Sequence, residues 1–225
     1  MRLLAVDTST WWGGAALLEV AGGASRLVAD AGALIQDSHA SRLLPLVDAL
    51  LAQAGWSRDS LDAYAAARGP GSFTGIRVAL GILQGLALAS GKPCLGIGTL
   101  DAMAEALGPS PAPRVPLLDA GRQEAYGARF DAGGSPPRTL IRVWVGDPAR
   151  ALEGGPTPFV FGSGAVAHQA RLREAGYDGP IGAPALSVAA GVGRVALARL
   201  AAGPAVDPEL APLYVRPADA EIKLR

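Results

Sequence analysis

Two places in this sequence carry residue types whose spacing could do chemistry: Asp7, which ends the apolar run RLLAVD, and the stretch RGPGSFTGIR from Arg68 to Arg77. A carboxylate at the end of a buried strand can hold magnesium or orient a nucleophilic water, and it can equally cap its own turn through Thr8 and Ser9. Glycine permits backbone shapes and close approaches that other residues resist. Gly69, Gly71 and Gly75, placed ahead of a long apolar run, therefore point to something that comes near: a phosphate, another backbone or a partner. Ser72 and Thr74 add hydroxyls that can cap a helix starting there. The stretch lacks the Lys-Ser/Thr ending of a P-loop, and its glycines do not space as GxGxxG, so it reads as an anion cradle or a tight turn. GVGRVA, 191–196, does match GxGxxA, but no strand directly precedes it and it reads as helix packing through small residues.

The other reactive side chains are scattered. His39, in QDSHASRLLP, could act as acid, base or phosphate donor, or could bond locally to Ser38 and Ser41. His168, in VAHQA, has no carboxylate or histidine beside it in sequence and is expected on the surface. Two separated histidines and one cysteine, Cys94, give no metal-ligand spacing. Cys94 falls in a strand pattern and is expected in the core. Asp101, Glu105 and Asp119 show no spacing that dictates paired-carboxylate work and are expected to be solvated. Trp11 and Trp12 are expected to pack a turn.

The chain that must position these residues has 225 amino acids, half of them hydrophobic, enough for a sizeable core. Twenty basic and twenty acidic residues cancel, so bulk charge gives no attraction to nucleic acid or acidic membrane. The single cysteine excludes an internal disulfide and suits a reduced, cytoplasmic setting. The N-terminal apolar run meets Asp7 too early for a signal peptide. No run of about 18 apolar residues is free of glycine and charge, so no membrane span is expected.

RLLAVD (2–7) reads as a buried strand returning through TSTWWGG to a second strand, AALLEV (15–20), with a third near 26–34. A helix is expected over 41–54, with Leu43, Val47, Leu50 and Ala54 on one face and Pro45 tolerable only near its first turn. AYAAA is a short strand leading into the glycine stretch, and a helix apolar on nearly every side follows over 75–89. A strand over 93–97 and a helix TLDAMAEAL, capped by Thr99, come next. The proline-rich GPSPAPR (108–114) divides the chain into 1–107 and 108–225, the second part carrying the final helix and an extended tail. VPLLDA, GRQ and EAYGARF then repeat the opening theme of strand, Asp, polar turn and returning strand, which predicts two related subdomains.

LLAVDTST, SHASRLLPLVDALL, RGPGSFTGIRVALGILQGLALASGKPCLGIGTLDAMA and LLDAGRQEAYGARF, in that order, resemble the bacterial TsaB family, also called YeaZ. The tail APLYVRP is similar to the family's ending, whereas residues 131–205 carry almost no signature. The resemblance implies an α/β fold of the ASKHA type, actin-like and Hsp70-like, with two related subdomains. It also implies a non-catalytic activating subunit that partners the related catalytic subunit TsaD and the ATPase TsaE in making threonylcarbamoyladenosine beside the anticodon of tRNAs reading ANN codons. A homodimer of the isolated chain, tRNA reached through the complex, and ATP or ADP at the complex interface belong to the same expectation. Where catalytic relatives carry two metal-binding histidines in a GKPLIGVNHxEGH-like segment, GKPCLGIGTLDAM has Thr99 and Met103. Asp7, Gly69, Gly71, Ser72, Thr74 and Gly75 then stand as a vestigial nucleotide cleft. His39, Leu43, Val47, Ile76, Leu80 and Leu83 stand as the subunit interface. A small ASKHA-type ATPase or phosphotransferase using Asp7 and the 69–75 loop is the alternative, and no zinc motif or nucleophile–base pair supports a glycoprotease.

Overall fold

The unbroken apolar runs within RLLAVD and WGGAALLEVA give each strand two buried faces, so the first sheet must be covered on both sides. A computed structural model of the chain shows how. It describes residues 1–34, 39–183, 187–203 and 210–216, without the side chains of 39–41. Strands β1 (Arg2–Asp7), β2 (Trp12–Ala21), β3 (Ala24–Leu34), β4 (Ala63–Ala67) and β5 (Cys94–Ile97) form one sheet in the order β3-β2-β1-β4-β5. The first three are antiparallel, and β4 and β5 run parallel to β1.

Leu4, Val6, Ala15 and Leu17 bury one face of this sheet under helices α1 (His39–Ala54) and α2 (Phe73–Ser90). Leu3, Ala5, Ala16 and Leu18 bury the other under α3 (Thr99–Leu107) and the last helix, α6 (Val188–Ala201). The period of two along each strand is what sends neighbours to opposite layers. Helix α1 begins earlier than its apolar period suggested, so Pro45 lies inside it, exposed, rather than in the first turn. Helix α2 is by length and composition apolar enough to cross a membrane, though Gly75, Arg77, Gly81 and Gly85 interrupt its apolar residues, and Ile76, Ala79, Leu80, Leu83 and Ala87 are buried in the core over the sheet.

A second unit is built on β6 (Arg114–Gly121), β7 (Glu124–Phe130), β8 (Thr139–Gly146) and β9 (Phe159–Phe161), in the order β8-β7-β6-β9. β6, β7 and β8 are antiparallel and β9 runs parallel to β6, which repeats the β3-β2-β1-β4 arrangement of the first sheet. Trp144, Val115, Leu117, Val160 and Leu172 fill its core. Two short helices, α4 (Ser163–Ala167) and α5 (Gln169–Glu174), follow β9 and meet at His168. Arg114, fully buried, is satisfied by the carbonyls of Gly108, Asp131 and Gly134 and by the Asp131 carboxylate at 3.1 Å.

The two units run Met1–Ala106 with Leu186–Pro212, and Leu107–Ala185 with Leu213–Arg225. The final helix therefore corrects the sequence division, because it belongs to the first unit. Its glycines are the reason it fits: a β-carbon on Gly191 would strike the Ala102 carbonyl and one on Gly193 would strike Leu18. GVGRVA is a packing surface, as its helical setting suggested.

Candidate functional site

Asp7 closes β1 and turns back on itself. The Ser9 amide donates to Asp7 Oδ1 at 2.9 Å and the Ser9 hydroxyl donates to the same oxygen at 2.5 Å. The other oxygen, Oδ2, is buried with no hydrogen-bond partner. The residue is 1 % exposed, and burial pushes its carboxyl up to about 6, the two Ser9 bonds offsetting part of that. Of the two roles open to Asp7 in the sequence, the geometry supplies the turn cap.

The glycine stretch sits against this turn. Ser72 donates its amide to the Ser9 carbonyl at 2.6 Å, and Thr8 donates its hydroxyl to the Gly75 carbonyl at 2.6 Å. Gly71, at φ +149°, has Ser9 so close that any β-carbon would run into its carbonyl oxygen. Gly69 precedes a cis bond to Pro70, and its carbonyl accepts from Thr99 at 2.8 Å. Ser72 is the N-cap of α2: its hydroxyl accepts from Gly75 at 3.2 Å, and its carbonyl from Ile76 at 2.9 Å. Thr74 lies exposed one residue into the helix.

The reading of Asp7, Gly69, Gly71, Ser72, Thr74 and Gly75 as a vestigial nucleotide cleft meets a turn that is braced in part by the chain itself. A cradle needs backbone amides pointing at a ligand. Those of Ser72, Gly75 and Ile76 are already donated within the chain, and the backbone approach that the glycines permit is to Ser9.

The interface residues are also relocated. Leu43, Val47, Ile76, Leu80 and Leu83 are each 3 % exposed or less, and all lie in the core over the first sheet. They hold α1 and α2 to their own strands and cannot at the same time meet a partner. His39 opens α1, and its side chain lies outside the described residues. The outward face of α2 is made instead by Phe73, Arg77, Gly81, Gly85 and Leu88, the last 87 % exposed. A β-carbon at Gly81 or Gly85 would meet nothing within 4 Å, so a helix laid there could approach the α2 backbone closely.

Thr99 and Met103 are 0 % and 5 % exposed, and the Thr99 hydroxyl is buried without a partner rather than capping α3. Glu105 is likewise buried at 5 %, and Asp101 is half-buried with its carboxyl raised by burial, partly offset by Arg199 and Arg68. These positions correct the expectation of solvated acids. Cys94 is core, as its strand setting suggested, and burial pushes its thiol up to about 12.

In the second unit Asp119 occupies the place on β6 that Asp7 holds on β1. It too caps its turn, accepting from Gly121 at 3.0 Å. Here the carboxylate is open, with its side chain 47 % exposed, and His168 Nε2 reaches it at 3.1 Å and the Glu124 carbonyl at 3.1 Å. His168 is 8 % exposed, not a surface residue. Arg216, in the tail, donates to the Ala120 carbonyl and pairs with the Glu124 carboxylate. This cluster was hidden from sequence reasoning because its members lie far apart in the chain; the Asp-ended strand repeat was the one signal pointing to it. Trp11 and Trp12 likewise depart from expectation, being 74 % and 56 % exposed.

Comparisons with known proteins follow this geometry. Residues 33–160, more than half of the chain, match the family model described as TsaD: tRNA N6-adenosine threonylcarbamoyltransferase. The chain is similar to the tRNA threonylcarbamoyladenosine biosynthesis protein TsaB of Haemophilus influenzae, 44% identical over 106 residues, covering 47% of this chain and 43% of that one. It is 36% identical over 154 residues to TsaB of Escherichia coli, covering 68% of this chain and 62% of the relative. The chain thus spans about half the length of these curated relatives. Among solved structures, YeaZ from Pseudomonas aeruginosa superposes with a TM-score of 0.78 at 30% identity, covering 95% of this chain and 99% of that one. With its sequence blocks, its repeated strand order and its full-length structural match agreeing, the chain belongs to the TsaB (YeaZ) family and has that family's ASKHA-type α/β fold.

Proposed function

We propose that this chain is a non-catalytic, activating subunit in the biosynthesis of threonylcarbamoyladenosine in tRNAs that read ANN codons, working in the cytoplasm beside a TsaD-type catalytic subunit and a TsaE-type ATPase. The observation that carries the reading is the pair Thr99 and Met103. They stand where the catalytic relatives place metal-binding histidines, and both are buried side chains that cannot replace imidazole as ligands. The bracing of the Asp7 turn by the glycine stretch supports it further, because the Ser72 and Gly75 amides are spent inside the chain. ATP or ADP belongs, in this reading, at the interface of the complex.

The docking surface in this reading is the outward face of α2, through Phe73, Arg77, Gly81, Gly85 and Leu88. It serves a second copy when the chain is alone and the TsaD-type subunit in the complex. The test is reconstitution from tRNA, threonine, bicarbonate and ATP with TsaC, TsaD and TsaE proteins, with and without this chain, reading the modified adenosine by mass spectrometry. Product that requires both this chain and TsaD is the expected result. Equal product without the chain overturns the proposal and returns attention to an ATPase or phosphotransferase working through Asp7, which would show magnesium-dependent turnover by the chain alone.

A further inference from the structure

The turn joining β6 to β7 holds an unfavourable backbone: Gly121, Arg122 and Gln123 follow one another at φ +66°, +55° and +63°, and two of the three are not glycine. Such residues stay in that region only where their surroundings hold them. Here Asp119 Oδ1 accepts from the Gly121 amide at 3.0 Å. His168, 8 % exposed, places Nε2 3.1 Å from that same oxygen and 3.1 Å from the Glu124 carbonyl. Both partners are acceptors, so this ring nitrogen carries the proton and ties the two ends of the turn together.

The turn so fixed brings three groups to one guanidinium. The Ala120 carbonyl accepts from Arg216 Nη1 at 3.0 Å, the Glu124 carboxylate accepts from Arg216 Nη2, and the Tyr126 ring centroid lies 6.0 Å from the guanidinium carbon. All of these residues belong to the second unit. Ordinary surface pairs such as Arg58–Asp48 and Arg171–Asp147 are about half exposed on both sides, whereas the Arg216 side chain is 18 % exposed and has left most of its water. What faces it is a carbonyl, a carboxylate and an aromatic ring, a set that repels anions and attracts a cation. Two acceptors met by two different nitrogens of one planar group suit a guanidinium better than an ammonium, which acts as a point charge. We propose that Ala120, Glu124 and Tyr126 form a guanidinium-binding site that Arg216 fills from the chain's own tail. The tail is thus a latch, and an arginine side chain on another segment is the ligand that displaces it.

The test uses the full chain, with N-acetylarginine amide as the probe and N-acetyllysine amide as a cation of equal charge. Arg216→Ala opens the site. In amide NMR spectra of that variant, residues 119–126 are expected to shift saturably with the arginine probe and about tenfold more weakly with the lysine probe. The unaltered chain should need on the order of tenfold more arginine probe, because the tethered Arg216 competes. Adding Glu124→Gln to Arg216→Ala should weaken the arginine probe by about tenfold. Release of the latch is read independently as chymotrypsin cleavage after Tyr214, which is 49 % exposed, with the product identified by mass spectrometry. Cleavage should quicken on the order of tenfold in Arg216→Ala. Arg216→Lys, which keeps the charge and loses the fork, is the second variant and should be cut nearly as fast. Residues 119–126 that stay unmoved in Arg216→Ala, an equal response to the two probes, or cleavage at Tyr214 that neither variant changes would each overturn the site.

Discussion

Replacing Asp7 with asparagine tests the sealed turn most directly. Asp7 is 1 % exposed, and burial raises its carboxyl from 3.8 to about 6, so solvent screening is small. A group whose folded value lies above its ordinary one stabilises the fold while protonated. That contribution is complete below about pH 4 and is lost as the pH rises through about 6. The rise from 3.8 to about 6 corresponds to about 3 kcal/mol. The asparagine does not titrate, and its Oδ1 can still accept both Ser9 bonds, but its amide replaces an oxygen that has no partner, at a cost of about 1–3 kcal/mol. At neutral pH the two effects oppose each other, so stability at a single pH decides nothing. The slope does: between about pH 4 and pH 8 the unaltered chain should lose about 3 kcal/mol relative to Asp7→Asn. Urea unfolding followed by circular dichroism at several pH values measures it. Parallel curves for the two proteins would refute the reasoning and place Asp7 in contact with water or a cation.

Four further outcomes follow from the packing. Gly81→Ala, whose new methyl meets nothing, should raise the unfolding free energy by about 1 kcal/mol and weaken partner binding, whereas Leu83→Glu should prevent folding, because Leu83 is fully buried; thermal unfolding and co-purification with TsaD separate the two. Gly71→Ala forces a β-carbon into the Ser9 carbonyl at a positive φ and should cost at least about 2 kcal/mol, measured by urea midpoint. Arg114→Ala orphans the carbonyls of Gly108, Asp131 and Gly134, while the Asp131 carboxylate keeps the Arg138 amide, and should destabilise the second unit by about 3 kcal/mol, seen as early loss of amide protection over 107–185 in hydrogen exchange.

Much of this architecture was legible in the chain because β1, β4 and β5 are short apolar runs, and because a strand ending in Asp7 recurs as one ending near Asp119. Periodicity also placed α1 and α2 within two residues. It could not say what their apolar faces meet. Leu43, Val47 and Leu83 would show the same spacing whether they faced a sheet or a partner, and α2, apolar on almost all sides, leaves no polar stripe from which to read its orientation. The return of α6 to the first unit was hidden for a related reason: sequence order favours packing against the nearest elements, and the small residues that fit α6 onto Leu18 and Ala102 give no sign of their distant target. His168 and Asp119, 49 residues apart, meet through topology alone.

The route of the chain sets an order of assembly. Residues 1–106 supply five strands and three helices, yet Leu3, Ala5, Ala16 and Leu18 have no complete cover until Val188–Ala201 arrives. During synthesis the first sheet must therefore wait with one apolar face partly open while about eighty further residues are translated at roughly 5–20 per second. The Leu107–Ala185 part of the second unit can fold in that interval. A ribosome stalled between the two events would hold a nascent chain with a sticky half-covered sheet, a natural target for a holding chaperone.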